Sequence, residues 1–529
     1  MEIKHIKIIK VPEVDCVCDK GTWGIPRSYI LPLELGVLSS YLRNKGINIE
    51  QDDLDIKAYH DNLHYPEKYI SGQILSQRRE ILAYLQGEKN LCLDEISKKL
   101  LNKTNLEFDL LLISCQEALE ITPRMATFLI SKYVKENYKS IVIVGGRGVA
   151  QGREDWLLAI NSKIVDFVVS GPGEIPLIKL IDALKNDKNL SDIPGITYLK
   201  DNRITSTNAT SQQQLIVPDF TGLPLDQYAS SPLNISIFPV KFMEGCPNKC
   251  IFCGASGNSY CSFLPPREAA DMLEELFKKY KAKHFYFLHA TFNISKGYTN
   301  QLCDEIIRRN LKIYWSDCAS FKNMDKETLI KLRRAGAIRL VWGLETGSPK
   351  MLKYIDKEVS IEQASEILEI SHEIGIWNQV EIIPGLPHEN NEDIQATLNF
   401  LDKNEAYLDG VYPSSFVLKK ESLLFKFPKL YGITNIKNID KTTFQINPDL
   451  SGQDRAWRYT FDEVNGLKWE DKKAQIAYSF KKIWNKVGDM NMKSTRTRQT
   501  IVVLFYLYTV FKDKKKVKEI FNKWSNRYK

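Results

Sequence analysis

The sequence predicts an α/β protein: a doubly wound parallel sheet, then a partial (β/α)6 barrel, then a C-terminal helical region. Three observations carry that reading. Short, nearly continuous apolar runs alternate with amphipathic helical stretches over residues 1–185, as in parallel strands covered by helices on both faces. The same alternation resumes over 233–430, after a polar, irregular stretch at 186–232 that reads as a linker with room for a small hairpin. Beyond 430 the chain is Lys-rich and aromatic with helical spacing, so 431–529 is expected to be a helical domain.

In the first part, "IKHIKIIKV" (3–11) is expected as a strand and "PLELGVLSSYLRNKG" (32–46) as an amphipathic helix ending in Gly46. "INIEQDDLD" follows as a second strand. "DLLLISC" (109–115), a helix over 123–137, "SIVIVGG" (140–146) and "VDFVVSGPGE" (165–174) continue the alternation. Open parallel sheets bind ligands at the carboxyl ends of their strands. The loops there, "SCQEA" (114–118), "GGRG" (145–148) and "GPGE" (171–174), are made of small residues that admit close backbone approach. Any one of them reads better as a tight turn; three in register shift the balance modestly toward a bound ligand.

The second part supplies "LNISIFPVKF" (233–242), "HFYFLHA" (284–290), "KIYWSDCAS" (312–320), "IRLVWGLE" (338–345), "WNQVEIIPG" (377–385) and "GVYPSSFVL" (410–418) as strands. Helices such as "PREAADMLEELFKKY" (266–280) and "KETLIKLRRAG" (326–336) fill the gaps. Six such units suit a partial barrel, with its chemistry at the strand carboxyl ends. Helical patterns near 471–487 and 495–525 follow. Arg455, Arg458, Arg496 and Arg498 in this tail are able to meet an anionic group, but a solvated basic surface is the better reading.

Composition is that of a folded chain of about three domains, fewer if one is a barrel: 529 residues, 43% hydrophobic, 26% charged. A net charge of +8 is small for this size and gives no argument for a nucleic-acid partner. The N-terminus lacks the apolar core of a signal peptide, and the longest apolar stretch, residues 501–511, is too short to span a bilayer. Ten cysteines in such a chain read as thiols or metal ligands. A cytoplasmic protein with no membrane partner is expected.

The chemistry concentrates in "GCPNKCIFCG" (245–254), which puts Cys246, Cys250 and Cys253 at C-x3-C-x2-C spacing. Soft, anionic thiolates bind iron–sulfur clusters. A four-iron cube held by three cysteines leaves one iron open to a small molecule. Pro247 and Gly254 bracket the loop, and Phe252 adds an aromatic surface beside the third thiol. The rival is a zinc knuckle that recruits Cys261 or a histidine; zinc pairs usually come as two separated units, and no second pair follows. Cys261 is able to serve as a fourth ligand to either metal. Three unligated core thiols are at odds with a Gly/Pro loop.

This spacing, with an aromatic before the last cysteine and a place after the first strand of a (β/α) region, resembles the radical S-adenosylmethionine (radical SAM) enzymes. The resemblance implies a TIM-type radical SAM barrel in which Cys246, Cys250 and Cys253 hold a 4Fe-4S cluster and S-adenosylmethionine chelates the fourth iron. "WGLETGSP" (342–349) is similar to the family's G-x-E-S-G-S stretch, with Thr346 where serine is usual. "EIIPGLPHEN" (381–390) is similar to its G-x-P-G-E/Q-T stretch, with Ile383 for glycine and Leu386-Pro387 for the following pair. Implied contacts to S-adenosylmethionine are Phe252, Glu345, Ser348, Pro384 and Gly385. Many relatives have an acidic residue after the second strand; here "LHATFN" offers His289 or Asn293, and His289 reads at least as well as a hydrogen-bonded core histidine.

The N-terminal half is similar to the Rossmann-like cobalamin-binding domain that precedes the barrel in one large subfamily. "PDFTGLPLDQY" (218–228) is similar to that subfamily's connector. The corrin contacts implied are Ser114, Gln116, Gly145, Gly146, Gly171 and Glu174. The D-x-H-x-x-G motif of histidine-ligated corrin proteins is missing, so the resemblance implies a cobalt with no protein imidazole. Arg147 stands where relatives have proline or a small residue.

The resemblance covers roughly residues 1–430. It implies reductive cleavage of S-adenosylmethionine, hydrogen abstraction by the resulting 5′-deoxyadenosyl radical, and methyl delivery from methylcobalamin to a small-molecule or peptide substrate of the natural-product type. An electron donor such as flavodoxin or ferredoxin is the implied partner. No residue is singled out as catalytic. Three rivals stand beside this reading. The first is rearrangement or cyclisation on the same cofactors. The second is a methylthiotransferase, which would carry another cysteine triad in its N-terminal domain; Cys16, Cys18, Cys92 and Cys115 are not spaced as one. The third is a non-catalytic corrin- or metal-binding protein, against which the two S-adenosylmethionine-side segments argue.

Overall fold

A computed structural model describes the chain except for residues 1–2, 13–29, 65–71, 102–103, 106, 117–120, 151, 210–212, 230–232, 256–260, 439–458, 491–497 and 527–529. Cys16, Cys18, Arg455, Arg458 and Arg496 lie outside the described residues, as does the side chain of Arg498. The chain divides into two compact units, Met1–Pro239 and Val240–Lys529.

The first unit is built on seven strands: β1 (Ile6–Lys10), β2 (Glu50–Asp53), β3 (Leu110–Ser114), β4 (Ile141–Gly145), β5 (Phe167–Val169), β6 (Ile196–Lys200) and β7 (Arg203–Ser206). They lie in the order β2-β1-β3-β4-β5-β6-β7. The first five pair in parallel, and β6 and β7 add an antiparallel hairpin. "LLLIS" and "IKIIK" are buried along their whole length, as strands covered on both faces must be. The helix Thr122–Asn137 packs Met125, Phe128 and Leu129 into the core, and Phe128 meets Trp156 edge-on at 4.9 Å between ring centroids. The strand order reverses between β1 and β3, which opens a crevice at their carboxyl ends.

Two local details depart from the periodicity. β2 stops at Asp53, because its carboxylate accepts the amide N–H groups of Asp55 (2.9 Å) and Ile56 (3.3 Å) and starts the helix Leu54–His64. The stretch 218–228 is tied to the first sheet by side chains. Arg43 pairs with Asp219 at 2.6 Å, Gln51 donates to the Asp219 carbonyl at 2.5 Å, and the Tyr228 hydroxyl donates to Asp53.

The second unit opens with β8 (Ile237–Val240), which spans the boundary, then the two-stranded ribbon β9 (Met243–Gly245) and β10 (Cys261–Phe263). β11 (His284–Phe287), β12 (Tyr314–Ala319), β13 (Ala337–Glu345), β14 (Trp377–Ile382) and β15 (Gly410–Pro413) follow, each after a helix. The sheet order β15-β14-β13-β12-β11-β8 adds strands on one side in chain order, as a partial barrel does. Pairing from β11 to β15 is parallel. Trp315, Trp342 and Trp377 are fully buried on three successive strands; Trp315 stacks on Phe287 and Trp342 on Phe321, each at 4.8 Å. The six strands expected from the sequence are the six of this sheet.

A ribbon of β16 (Ile433–Asn438) and β17 (Tyr459–Glu463) precedes the C-terminal helices Trp469–Asp489, Arg498–Phe511 and Lys514–Asn526. The sequence reading has no strand there, because short half-exposed strands carry little apolar signal. Among the described residues no helix is long and apolar enough to cross a membrane.

Candidate active site

The cysteine loop leaves the carboxyl end of β8 through β9, where Gly245 takes a left-handed turn (φ 84°) opposite Cys261 on β10. Ile251 anchors it. The Ile251 amide donates to the Ile355 carbonyl (3.2 Å), and its own carbonyl accepts the Leu424 amide (2.9 Å). Its side chain is buried with Met351, Ile355 and Leu386, and Phe252 packs on the edge of that cluster. A turn from the Cys250 carbonyl to the Cys253 amide (3.1 Å) then closes the loop between the last two cysteines.

Cys250 is buried and Cys246 and Cys253 are half-buried, none of them in a disulfide. Burial pushes the Cys250 thiol up to about 11 and raises Cys246 as well, and the neighbouring cysteines add to both. Thiols bind metal as thiolates, so bound iron would hold them ionised. Three soft donors with no carboxylate or imidazole among them fit an iron–sulfur cluster, whose cysteines each hold a separate iron. Among the described residues no three His, Cys, Asp or Glu side chains converge on a single-ion site.

Facing this loop is the end of β13. Its register with β14 breaks between Gly343 and Glu345, and Glu345 sits at φ 73°, a left-handed conformation that a non-glycine residue adopts at a cost. The bulge turns the Glu345 carboxylate onto Lys357, whose Nζ lies 3.0 Å from Oε1 and donates to the Gly343 carbonyl at 2.7 Å. Gly343 leaves the space for this pair: a Cβ there would stand 2.7 Å from Glu345 Oε1 and 3.0 Å from Lys357 Nζ. Cys250, Ser320, Phe321, Lys322, Gly343 and Lys357 line a cleft beside the loop.

The remaining implied contacts have other posts. The Ser348 hydroxyl donates to Asp393 (2.7 Å) and caps the helix Pro349–Tyr354. Gly385 (φ 90°) is met by the C-terminal helix, since a Cβ there would lie 2.5 Å from Ile476. The Pro384 carbonyl accepts the Phe416 amide at 3.0 Å. Glu345 and Phe252 thus come together with the cysteines, while Ser348, Pro384 and Gly385 are held by protein packing.

His289 is a buried core residue. Its Nδ1 lies 2.5 Å from Asp317 Oδ2 and its Nε2 accepts the Phe242 amide at 3.1 Å, which leaves the proton on Nδ1. Burial raises Asp317 above the usual carboxylate range, against the opposing pull of His289. Asn293 donates to the carbonyls of Ser320 (2.7 Å) and Lys322 (2.9 Å) and so holds one wall of the cleft. Sequence reasoning missed Asp317 and Lys357. An aspartate inside the apolar "KIYWSDCAS" was a usable signal, since a buried charge needs a partner; Lys357 had none.

In the first unit, Ser114 ends β3 opposite Gly145 of β4, and Gln116 donates to the Ser114 hydroxyl at 2.8 Å. Gly146 (φ 102°) is glycine for backbone reasons, because a Cβ would fall 2.5 Å from the Cys115 carbonyl oxygen. Gly145 has ordinary space, its nearest neighbour being Val169 at 3.7 Å. Gly171 is exposed at φ 87°, and Glu174 is buried at the start of the helix Glu174–Asn186. Gln116, Gly145 and Gly146 are half-exposed, and the two glycines put no side chain of their own at this strand end, which suits a flat ring.

Residues 240–401 match the family model of the radical SAM superfamily. An uncharacterized methyltransferase of Pyrococcus horikoshii is 25% identical over 281 residues, 52% of this chain and 60% of that protein. The anaerobic magnesium-protoporphyrin IX monomethyl ester cyclase of Rubrivivax gelatinosus is 26% identical over 44% of each chain. The chain thus spans about half the length of these curated relatives. Among solved structures, the radical S-adenosylmethionine methyltransferase TsrM from Kitasatospora setae, with cobalamin and a [4Fe-4S] cluster bound, aligns over 99% of this chain and 100% of its own at TM-score 0.65 and 16% identity. The cobalamin-dependent S-adenosylmethionine radical enzyme OxsB aligns over 100% of this chain and 75% of its own at TM-score 0.62 and 16% identity. The match over 240–401 falls on the cysteine loop, the Glu345 bulge and the strands that position them; residues 240–401 are a radical SAM domain.

Proposed function

We propose that this protein is a cobalamin-dependent radical SAM enzyme, and specifically a C-methyltransferase acting on a small-molecule or peptide substrate of the natural-product type. The observation that carries the reading is the half-buried loop of three thiols at the carboxyl end of the partial barrel, facing the Glu345–Lys357 pair. The likeness in fold to TsrM and OxsB supports a corrin in the first unit, and the Pyrococcus relative supports methyl transfer. When bound, a 4Fe-4S cluster with S-adenosylmethionine supplies one-electron chemistry and a corrin supplies a methyl carrier. Cys246, Cys250 and Cys253 would hold the cluster. Glu345 would accept hydrogen bonds from the amino or ribose groups of S-adenosylmethionine, with Gly343 leaving the room in which its carboxylate and Lys357 sit. Phe252 and the buried Ile251 would keep water from the loop. Ser114, Gln116, Gly145, Gly146, Gly171 and Glu174 would line the corrin. An external one-electron donor such as flavodoxin or ferredoxin would complete the system.

Anaerobically reconstituted protein should bind about four irons and four sulfides. Alanine at Cys246, Cys250 or Cys253 should abolish both the cluster absorbance and 5′-deoxyadenosine formation, whereas alanine at Cys92 or Cys303 should not. Full cluster loading in Cys250→Ala would sink the assignment. A ring-forming outcome on the same cofactors is the second reading, supported by the cyclase from Rubrivivax gelatinosus. Product mass separates the two: methylation adds a methyl group from S-adenosylmethionine and cyclisation adds none.

A further inference from the structure

Ile251 ties the cysteine loop to a later stretch of chain. It follows Cys250 directly, and its carbonyl accepts the Leu424 amide at 2.9 Å. Past Cys253, a Cβ on Gly254 would lie 3.6 Å from Glu421 Cβ and 3.8 Å from Lys419 Cδ. Residues 419–424 therefore pack directly on the loop, with Leu424 buried in the same apolar cluster as Ile251. The outer side of the stretch faces solvent. After the short helix Leu423–Lys426, two large apolar side chains point outward: Phe427 is 54% exposed and Leu430 75%. They share one turn, since the Leu430 amide donates to the Phe427 carbonyl at 3.1 Å.

Lys419, Lys420, Lys426 and Lys429 are exposed on the same stretch. Residues 419–431 hold four lysines and one glutamate, a net +3, where all 529 residues together carry +8. Apolar side chains set among charges of one sign have the anatomy of a transient protein interface: contact desolvates the apolar part, and the charges steer and select the partner. A basic surface selects an acidic partner. The cluster reading also requires electrons from outside the chain, and this surface is exposed chain in direct contact with the cysteine loop. We propose that the surface of residues 419–430 is the docking site for an acidic one-electron carrier protein. The carrier loses one electron and the cluster gains it, with no bond made or broken. The inference rests on the cluster reading above.

The test reduces full-length reconstituted protein anaerobically with reduced flavodoxin, reduced ferredoxin or dithionite, and follows the cluster absorbance by stopped flow. At least one carrier should reduce wild type, at a rate that falls about tenfold from low to high salt, as electrostatic steering requires. The combined variant Lys419→Glu, Lys420→Glu, Lys429→Glu should slow the carrier about tenfold at low salt and keep the dithionite rate. Phe427→Ser with Leu430→Ser should slow the carrier as well and keep its salt dependence. A wild-type carrier rate in the lysine variant overturns the proposal. So does a wild-type cluster that dithionite reduces and neither carrier does. Both results leave the cluster reading standing, whereas wild-type protein that binds no cluster overturns both. Sedimentation supplies a further check: a wild-type dimer that Leu430→Ser turns into a monomer makes this surface a contact between two copies and overturns the carrier. Should the lysine variant fail to assemble a cluster, the wild-type salt profile decides, and a salt-independent carrier rate overturns the proposal.

Discussion

Two glycines four residues apart in "WGLETGSP" show how one motif mixes purposes. A Cβ on Gly347 would lie 2.6 Å from Thr397 Cα and 2.9 Å from the Ala396 carbonyl oxygen, both backbone atoms of the helix Asn391–Asn404. Backbone cannot yield cheaply, so Gly347→Ala should destabilise the domain by about 1–3 kcal/mol. The atoms nearest a Cβ on Gly343 would be the tips of Glu345 and Lys357, which are able to move. Gly343→Ala should therefore melt within a few degrees of wild type yet bind S-adenosylmethionine at least tenfold more weakly, because the ion pair is displaced. Thermal unfolding and equilibrium dialysis check the two together. Equal loss of stability in both variants would make Gly343 a packing residue like its neighbour. The sequence shows both glycines and cannot rank them, since the atoms that do so come from residues 357 and 396–397, distant along the chain.

At the scale of elements, the segment 384–389 is clasped by the C-terminal helix Trp469–Asp489. Lys472 donates to the Leu386 carbonyl (2.6 Å) and pairs with Glu463 (2.9 Å), while the Gly385 amide donates to Glu389 (2.7 Å). Burial raises the Glu389 carboxyl to about 7, opposed by the Gly385 amide and Lys472. A carboxyl whose pKa rises on folding contributes stability that is fully present below its unfolded value of 4.5 and is lost as pH rises through about 7. The loss is on the order of 3 kcal/mol. The apparent melting temperature of wild type should therefore fall across that window more than that of Glu389→Gln, and parallel pH profiles would exclude Glu389 as the source. The six barrel strands were legible because buried parallel strands must be apolar runs. The clasp was not: Gly385 reads as a ligand contact until Ile476, 91 residues later, is found on top of it. The ribbons β9–β10 and β16–β17 were hidden for a related reason, being held by pairing more than by burial.

At the scale of the whole molecule, the two units raise separate questions, and the first decides whether cobalt is involved. Small-residue loops alone do not answer it, because Gly146 is accounted for by the Cys115 carbonyl. Gly145 is the more telling position: among the described residues its Cβ site meets only Val169, at an ordinary 3.7 Å, its surface is half-exposed, and it ends β4 beside Ser114. A leucine there meets no clash at its Cβ among the described residues and would add bulk at the strand end. Gly145→Leu should keep the far-ultraviolet circular dichroism and melting temperature of wild type and lose corrin loading from hydroxocobalamin. The loops at 114–118, 145–148 and 171–174 contain no histidine, so a corrin seated there receives no imidazole from them. Electron paramagnetic resonance of the cobalt(II) form should accordingly show no nitrogen superhyperfine splitting from a protein histidine, and such splitting would place the corrin elsewhere. Wild-type protein that takes up no corrin at all would remove methyl transfer through cobalt from the proposal. The second unit would then be read by itself, as a radical SAM domain whose cysteine loop and Glu345–Lys357 pair need no help from the first.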